Sequence, residues 1–180
     1  MTKLNSINKL TNFDKQCLKT AISIAEVTFK QGNYPVGAVL AINDKVIGKA
    51  GNEINKQKSF VNHAENSLII NFGQKLANVR KDSKKIVSLY STLEPCIQCL
   101  GASVTNHIDR ILYIQKDPNG GACDLKHDNI GLAYKEFWPD IIHCPISDKP
   151  KQLMIEFFHS EIKRGHIKWP KRMLKLLEST

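Results

Sequence analysis

The stretch YPVGAVLAI, residues 34–42, narrows the fold more than any other part of the chain. It is an apolar run of strand length with no polar face, so as a strand it has to be covered on both sides. The polar turn NDK follows, and VIGKAGN then returns, which makes a hairpin. Upstream, over residues 13–31, Leu18, Ile22, Ala25 and Phe29 form one row at helical spacing, with Cys17, Ala21 and Ile24 beside it. That pattern is an amphipathic helix stopping at Gly32 and Asn33, with Cys17 in the core.

Downstream the pattern alternates. After a polar loop at 53–60, residues 63–72 read as a second helix, and KIVSLYST (85–92) as a β-branched strand. Pro95 suits the first turn of a helix running from Cys96 to about Asn106. RILYIQ (110–115) is a further strand, 116–139 is rich in Gly, Asp and Asn and least regular, and IIHC (141–144) is a last short strand. Residues 151–164 and 169–178 look helical. Strands alternating with helices after one hairpin make an α/β fold with helices on both faces of one sheet. Nothing resembles a repeat or a linker, so residues 1–180 read as a single domain.

The 180 residues, 42% hydrophobic and 24% charged, suffice for a real core without disulfides. No apolar run is long enough for a membrane span, and the start lacks the core of a secretory signal, so the expected location is the cytoplasm. An odd count of five cysteines fits no disulfide framework. The net charge of +9 suits a polyanionic partner. Between 160 and 175, Lys163, Arg164, Lys168, Lys171, Arg172 and Lys175 face Glu161 alone. Such a tail is either a solvated helix face or a patch that meets RNA.

Two stretches carry the chemistry: NHAENSLII with His63 and Glu65, and TLEPCIQCLGAS with Cys96 and Cys99. Two cysteines at this spacing on a helix start can aim at one ion, and the helix N-terminus favours thiolate. Alone, the pair is ambiguous between a redox motif, half of a structural zinc site with Cys123 and His127 as further donors, and chance, and the two helices and hairpin before it weaken the redox reading. Joined by His63, it makes one nitrogen and two sulfurs, a set that leaves a tetrahedral position open for catalysis. Glu65, two residues after His63, is then placed to act as a base on zinc-activated water. His107, His127, His143, His159 and His166 read as surface or packing residues, and packing is the expected use of Trp138 and Trp169.

These residues resemble the zinc-dependent cytidine/deoxycytidylate deaminase-like superfamily, with its His-x-Glu and Pro-Cys-x-x-Cys signature. Within it the chain is similar to the bacterial tRNA-specific adenosine deaminases and related nucleobase deaminases, over roughly residues 14–121. The resemblance implies a three-layer α/β/α sandwich around a five-stranded mixed sheet. It further implies Zn2+ on His63, Cys96 and Cys99, proton transfer by Glu65, and a homodimer. Asn52 matches the position that hydrogen-bonds the base, Ala64 the one whose backbone N–H meets it, and Val36, Gly37 and Ala38 the backbone beside it. The implied activity is deamination of adenosine to inosine in tRNA; the alternative is a free nucleobase, nucleoside or nucleotide such as cytosine, guanine, cytidine or deoxycytidylate. The chain departs from the pattern at Phe60, Val61 and Asn62, at Gln98, and from about 122 onward.

Overall fold

A computed structural model describes residues 10–82, 84–126, 128 and 130–179. Helix α1 (Asn12–Lys30) opens on a reciprocal cap: the Thr11 hydroxyl accepts from the Asp14 N–H, and the Asp14 carboxylate accepts from the Thr11 N–H. Strand β1 (Gly37–Ile42) turns through Asn43, at φ 51°, into β2 (Lys45–Gly51). Asparagine tolerates that left-handed backbone. The short α2 (Ile54–Gln57) leads to α3 (Ala64–Val79), then β3 (Val87–Leu93), α4 (Ile97–Thr105) and β4 (Arg110–Gln115). The C-terminal third holds α5 (Leu132–Glu136), β5 (Asp140–His143), α6 (Lys149–Lys163) and α7 (Lys168–Glu178).

The strands form one five-stranded mixed sheet in the order β2-β1-β3-β4-β5. β1 is antiparallel to both neighbours, whereas β3, β4 and β5 run parallel. Alternation along β1 divides the core in two. Ala38 and Leu40 pack with Leu68, Leu100 and Val104 of α3 and α4, while Val39 and Ala41 pack with Leu18 and Ala21 of α1. Helices therefore cover both faces, as the doubly apolar β1 demands. Each such buried leucine contributes about 1.5–3 kcal/mol. α6 packs beside α1, and α7 lies on α6 through Met154, Phe157, Phe158, Met173, Leu174 and Leu177.

Several boundaries differ from the sequence expectation. α3 runs on to Val79 because Leu76 and Val79 continue its buried stripe, past a Gly73 whose added Cβ would meet nothing within 4 Å. Pro95 lies outside α4 rather than in its first turn: Cys96 is the N-cap, paired across an isolated bridge with Gly121. The Pro95 carbonyl accepts from the Ala122 N–H at 3.0 Å, which holds this entry extended. The loop at 53–60 contains α2, and the irregular 116–139 contains α5. Both are too short to show a helical period. No helix among the described residues is long and apolar enough to cross a membrane.

Candidate active site

Two helix starts face each other at the carboxyl end of β3. His63 is the N-cap of α3 and Glu65 lies in its first turn; Cys96 is the N-cap of α4 and Cys99 lies in its first turn. Both caps have extended backbone, at φ −72° and −74°, which turns their side chains back over the helix ends. His63 Nδ1 lies 3.6 Å from Cys96 Sγ and 3.4 Å from Cys99 Sγ, and the sulfurs are 3.8 Å apart. Zinc bonds of about 2.3 Å to sulfur and 2.0 Å to nitrogen give tetrahedral edges of about 3.8 Å and 3.5 Å. The three donors thus already stand where one zinc ion needs them, and they are the metal-competent cluster of the described residues.

The electrostatics agree with that fit. The Cys99 thiol and the His63 ring hold Cys96 down at about 4 against the effect of burial. The same partnership and burial push the Cys99 thiol up. His63 is raised by its contact with Cys96. Cys123 stays apart: it is buried, its sulfur rests 4.0 Å from the Pro95 carbonyl oxygen, and burial pushes its thiol up. His127, its suggested companion, lies outside the described residues.

Glu65 is only 3% exposed. The Ser91 hydroxyl donates to its Oε1 at 2.8 Å, and its Oε2 lies 3.7 Å from Cys99 Sγ. Burial pushes the carboxyl up, and the Ser91 hydrogen bond opposes only part of that rise. A carboxyl so placed can hold or release a proton at the face of the cluster. Ser91 was not singled out from sequence; the sign of it was a hydroxyl inside a strand buried along nearly its whole length.

A cavity of about 530 Å³ opens over the cluster. His63, Glu65 and Cys96 line it, together with Val36 and Asn52. Asn52 Oδ1 accepts from the Ile54 N–H at 3.0 Å, which fixes the amide plane and leaves its Nδ2 group without a hydrogen bond among the described residues. Gly37, Ala38 and Ala64 stand behind the wall instead of lining it. A Cβ on Gly37 would run into the Ala21 carbonyl, so this glycine lets α1 approach the sheet. Ala64 opens α3, where backbone N–H groups have no intrahelical partner.

Two further features were not read from sequence. Glu94, buried at the rim, accepts from the Cys123 N–H at 3.0 Å and the Asp117 N–H at 3.2 Å, and so shapes the loop that carries Asp117 and Asn119 into the cavity. The opposite wall belongs to α6 and α7: Met154, Phe157, Glu161, Trp169 and Met173. Trp169 is not simply packed away, since it borders the cavity at 42% exposure and its Nε1–H donates to Tyr34 Oη at 2.9 Å. Gln98 and Asn66 both donate to the Val61 carbonyl, at 3.3 Å each, and fix the loop that carries Phe60 over the opening. The other described histidines have other partners or none: His107 stacks on Phe137, His143 contacts the Ile114 carbonyl, His166 pairs with Glu161, and His159 is exposed.

The family model for the cytidine and deoxycytidylate deaminase zinc-binding region matches residues 11–115. A tRNA-specific adenosine deaminase of Bacillus subtilis is 34% identical over 108 residues, covering 60% of this chain and 65% of that protein. The chain thus spans just under two thirds of the length of that relative. Its namesake from Aquifex aeolicus is 32% identical over 146 residues, covering 78% of this chain and 91% of the relative. In fold, a solved tRNA deaminase of A-to-I editing at the wobble position superposes with a TM-score of 0.60 at 24% identity. That superposition covers 77% of this chain and 99% of the solved one. The matched region takes in every residue of the cluster and Glu65, and on that footing the chain belongs to the zinc-binding cytidine and deoxycytidylate deaminase family.

Proposed function

We propose that this chain is a zinc-dependent hydrolytic deaminase that converts adenosine in tRNA to inosine and releases ammonia. The observation that carries the reading is a buried carboxylate, Glu65, placed against a three-donor cluster at the floor of a cavity of about 530 Å³. That volume is ordinary for a small-ligand pocket, which runs to about 300–1,000 Å³. Relatives called tRNA-specific adenosine deaminase, at 31–38% identity, support adenosine as the base.

His63, Cys96 and Cys99 are the zinc ligands. When bound, zinc makes water a nucleophile near neutral pH. Glu65 takes the proton that this water loses and delivers it to the ring nitrogen beside the attacked carbon. Glu65 then moves the remaining proton, from the hydroxyl added to the carbon, to the exocyclic nitrogen; the C–N bond breaks, ammonia leaves, and the deprotonated oxygen stays on the carbon as a carbonyl. The free Nδ2 of Asn52 and the backbone N–H of Ala64 orient the base, and Val36, with Gly37 and Ala38 behind it, forms one wall. The Ser91 hydroxyl keeps the carboxylate aimed. The protein works in the cytoplasm as a homodimer, and the dimer is supported by exposed apolar side chains at Ile70 of α3, Ile97 of α4 and Val61 in the loop before α3. A light-scattering mass equal to the 20.3 kDa monomer would refute the dimer.

One observation favours a second reading, a deaminase of free nucleobases, nucleosides or nucleotides: Met154, Phe157 and Met173 give the cavity an apolar wall that suits a detached base. Ammonia release separates the two. The zinc-loaded protein is assayed on an anticodon stem-loop with adenosine at the wobble position, on free adenine, guanine and cytosine, and on adenosine, cytidine and deoxycytidylate. Turnover of the stem-loop is expected. Turnover of a free compound alone would establish the second reading, and silence on every substrate at full zinc occupancy would end both.

A further inference from the structure

The cations of α7 sort by helical position. Lys168, Lys171, Arg172 and Lys175 recur at the spacing of one helix face, and all are exposed. Half a turn away, Pro170, Met173, Leu174 and Leu177 are buried, the last three in the cluster with Phe157 and Phe158 of α6. The cationic row therefore points away from the core for about 10 Å of helix. None of the four has an ion-pair partner among the described residues. A helix face that serves only solvation usually mixes both signs. From Lys168 to Lys175 this row holds no acid, and Glu178 follows only at the last residue of the helix.

Trp169 sits beside it. Its ring borders the cavity, its N–H is anchored on Tyr34 Oη, and Arg172 follows one turn later. An anchored aromatic at the mouth of a base-sized pocket, next to a row of unpaired cations, is what a single strand requires: a base can stack on the ring while phosphates follow the charges.

We propose that α7 is an RNA-docking element, in which the row Lys168, Lys171, Arg172 and Lys175 binds phosphates flanking the target nucleotide and Trp169 stacks on an unpaired base beside the cavity. This rests on the RNA reading of the site. The stripe supplies attraction along the strand, and the indole sets which nucleotide stands at the opening.

The test uses the full chain, zinc-loaded and carrying Glu65→Gln so that substrate binds without turnover. Fluorescence anisotropy measures its affinity for the anticodon stem-loop across a salt series. Each single-strand phosphate contact adds about 0.7 to the slope of log affinity against log salt. Reversing the row (Lys168→Glu, Lys171→Glu, Arg172→Glu, Lys175→Glu) should weaken binding more than about tenfold and flatten the slope by roughly 2–3. Neutralising the same four to Gln should give an intermediate loss. Trp169→Ala should weaken binding by about 5- to 100-fold with the slope unchanged, and Trp169→Phe should recover most of it. Zinc content and melting temperature report the fold of each variant. Wild-type affinity and slope in a folded charge variant, while the parent chain deaminates the stem-loop, would overturn the docking proposal alone. A parent chain that ignores the stem-loop and releases ammonia from a free base would overturn it together with the RNA reading.

Discussion

Glu65 shows how much depends on one side chain. Its carboxyl is buried, held from one side by Ser91 and set against Cys99 on the other. Glu65→Gln keeps shape and hydrogen bonding but cannot carry a proton, so zinc content should stay at one per chain while kcat falls about 10²–10⁴-fold. Equal loss of zinc and turnover would instead mark Glu65 as a ligand. The zinc donors and this carboxylate were legible in sequence because imidazole, thiol and carboxylate at helix-start spacing have few other joint uses. Ser91 and Glu94 were not, since a buried hydroxyl or carboxylate acquires its purpose from partners distant in sequence: Glu65 for one, Asp117 and Cys123 for the other. Gly37 was legible as a site of close approach, and the neighbour that a side chain there would strike is α1.

Elements bring these side chains together, and the fit between them is tight at Gly121. A Cβ there would lie 2.5 Å from the Glu94 carboxylate and 2.7 Å from the Asp117 carbonyl oxygen. Gly121→Ala should displace Glu94 from the loop it organises, lowering stability by about 1–3 kcal/mol. Thermal melting would register that as a drop of several degrees, and an unchanged melting temperature would show that the loop yields freely. At this scale the strands and long helices follow from periodicity, and β4 has the bounds that RILYIQ suggests. What sequence obscured were elements defined by tertiary contact: the single helical turns of α2 and α5, the tail of α3, and the placing of Pro95 ahead of its helix. That α6 and α7 wall the cavity could not be inferred from a stretch whose local pattern says only that it is helical.

For the whole molecule, one buried network ties the first helix to the sheet. Asp14 accepts from Tyr90 Oη at 2.7 Å and from Arg110 Nη1 and Nη2 at 3.2 and 3.3 Å. Burial pushes the Asp14 carboxyl up, but Arg110 and Tyr90 outweigh it and hold the carboxyl below its usual range. A depressed carboxylate contributes stability that is present above its unfolded pKa of about 3.9 and is lost as pH falls through the lower folded value. Asp14→Asn should therefore cost about 3 kcal/mol at neutral pH, with the gap to the parent chain closing below about pH 4. Denaturant titrations at several pH values would check this, and a gap independent of pH would show that geometry, not charge, holds the joint. The order of the chain has one further consequence. A nascent polypeptide that has reached Thr105 already carries all three donors of the cluster, yet Met154, Phe157, Trp169 and Met173 of the facing cavity wall emerge only later. Metal capture can thus precede completion of the cavity, because the donor cluster lies wholly upstream of the wall that faces it.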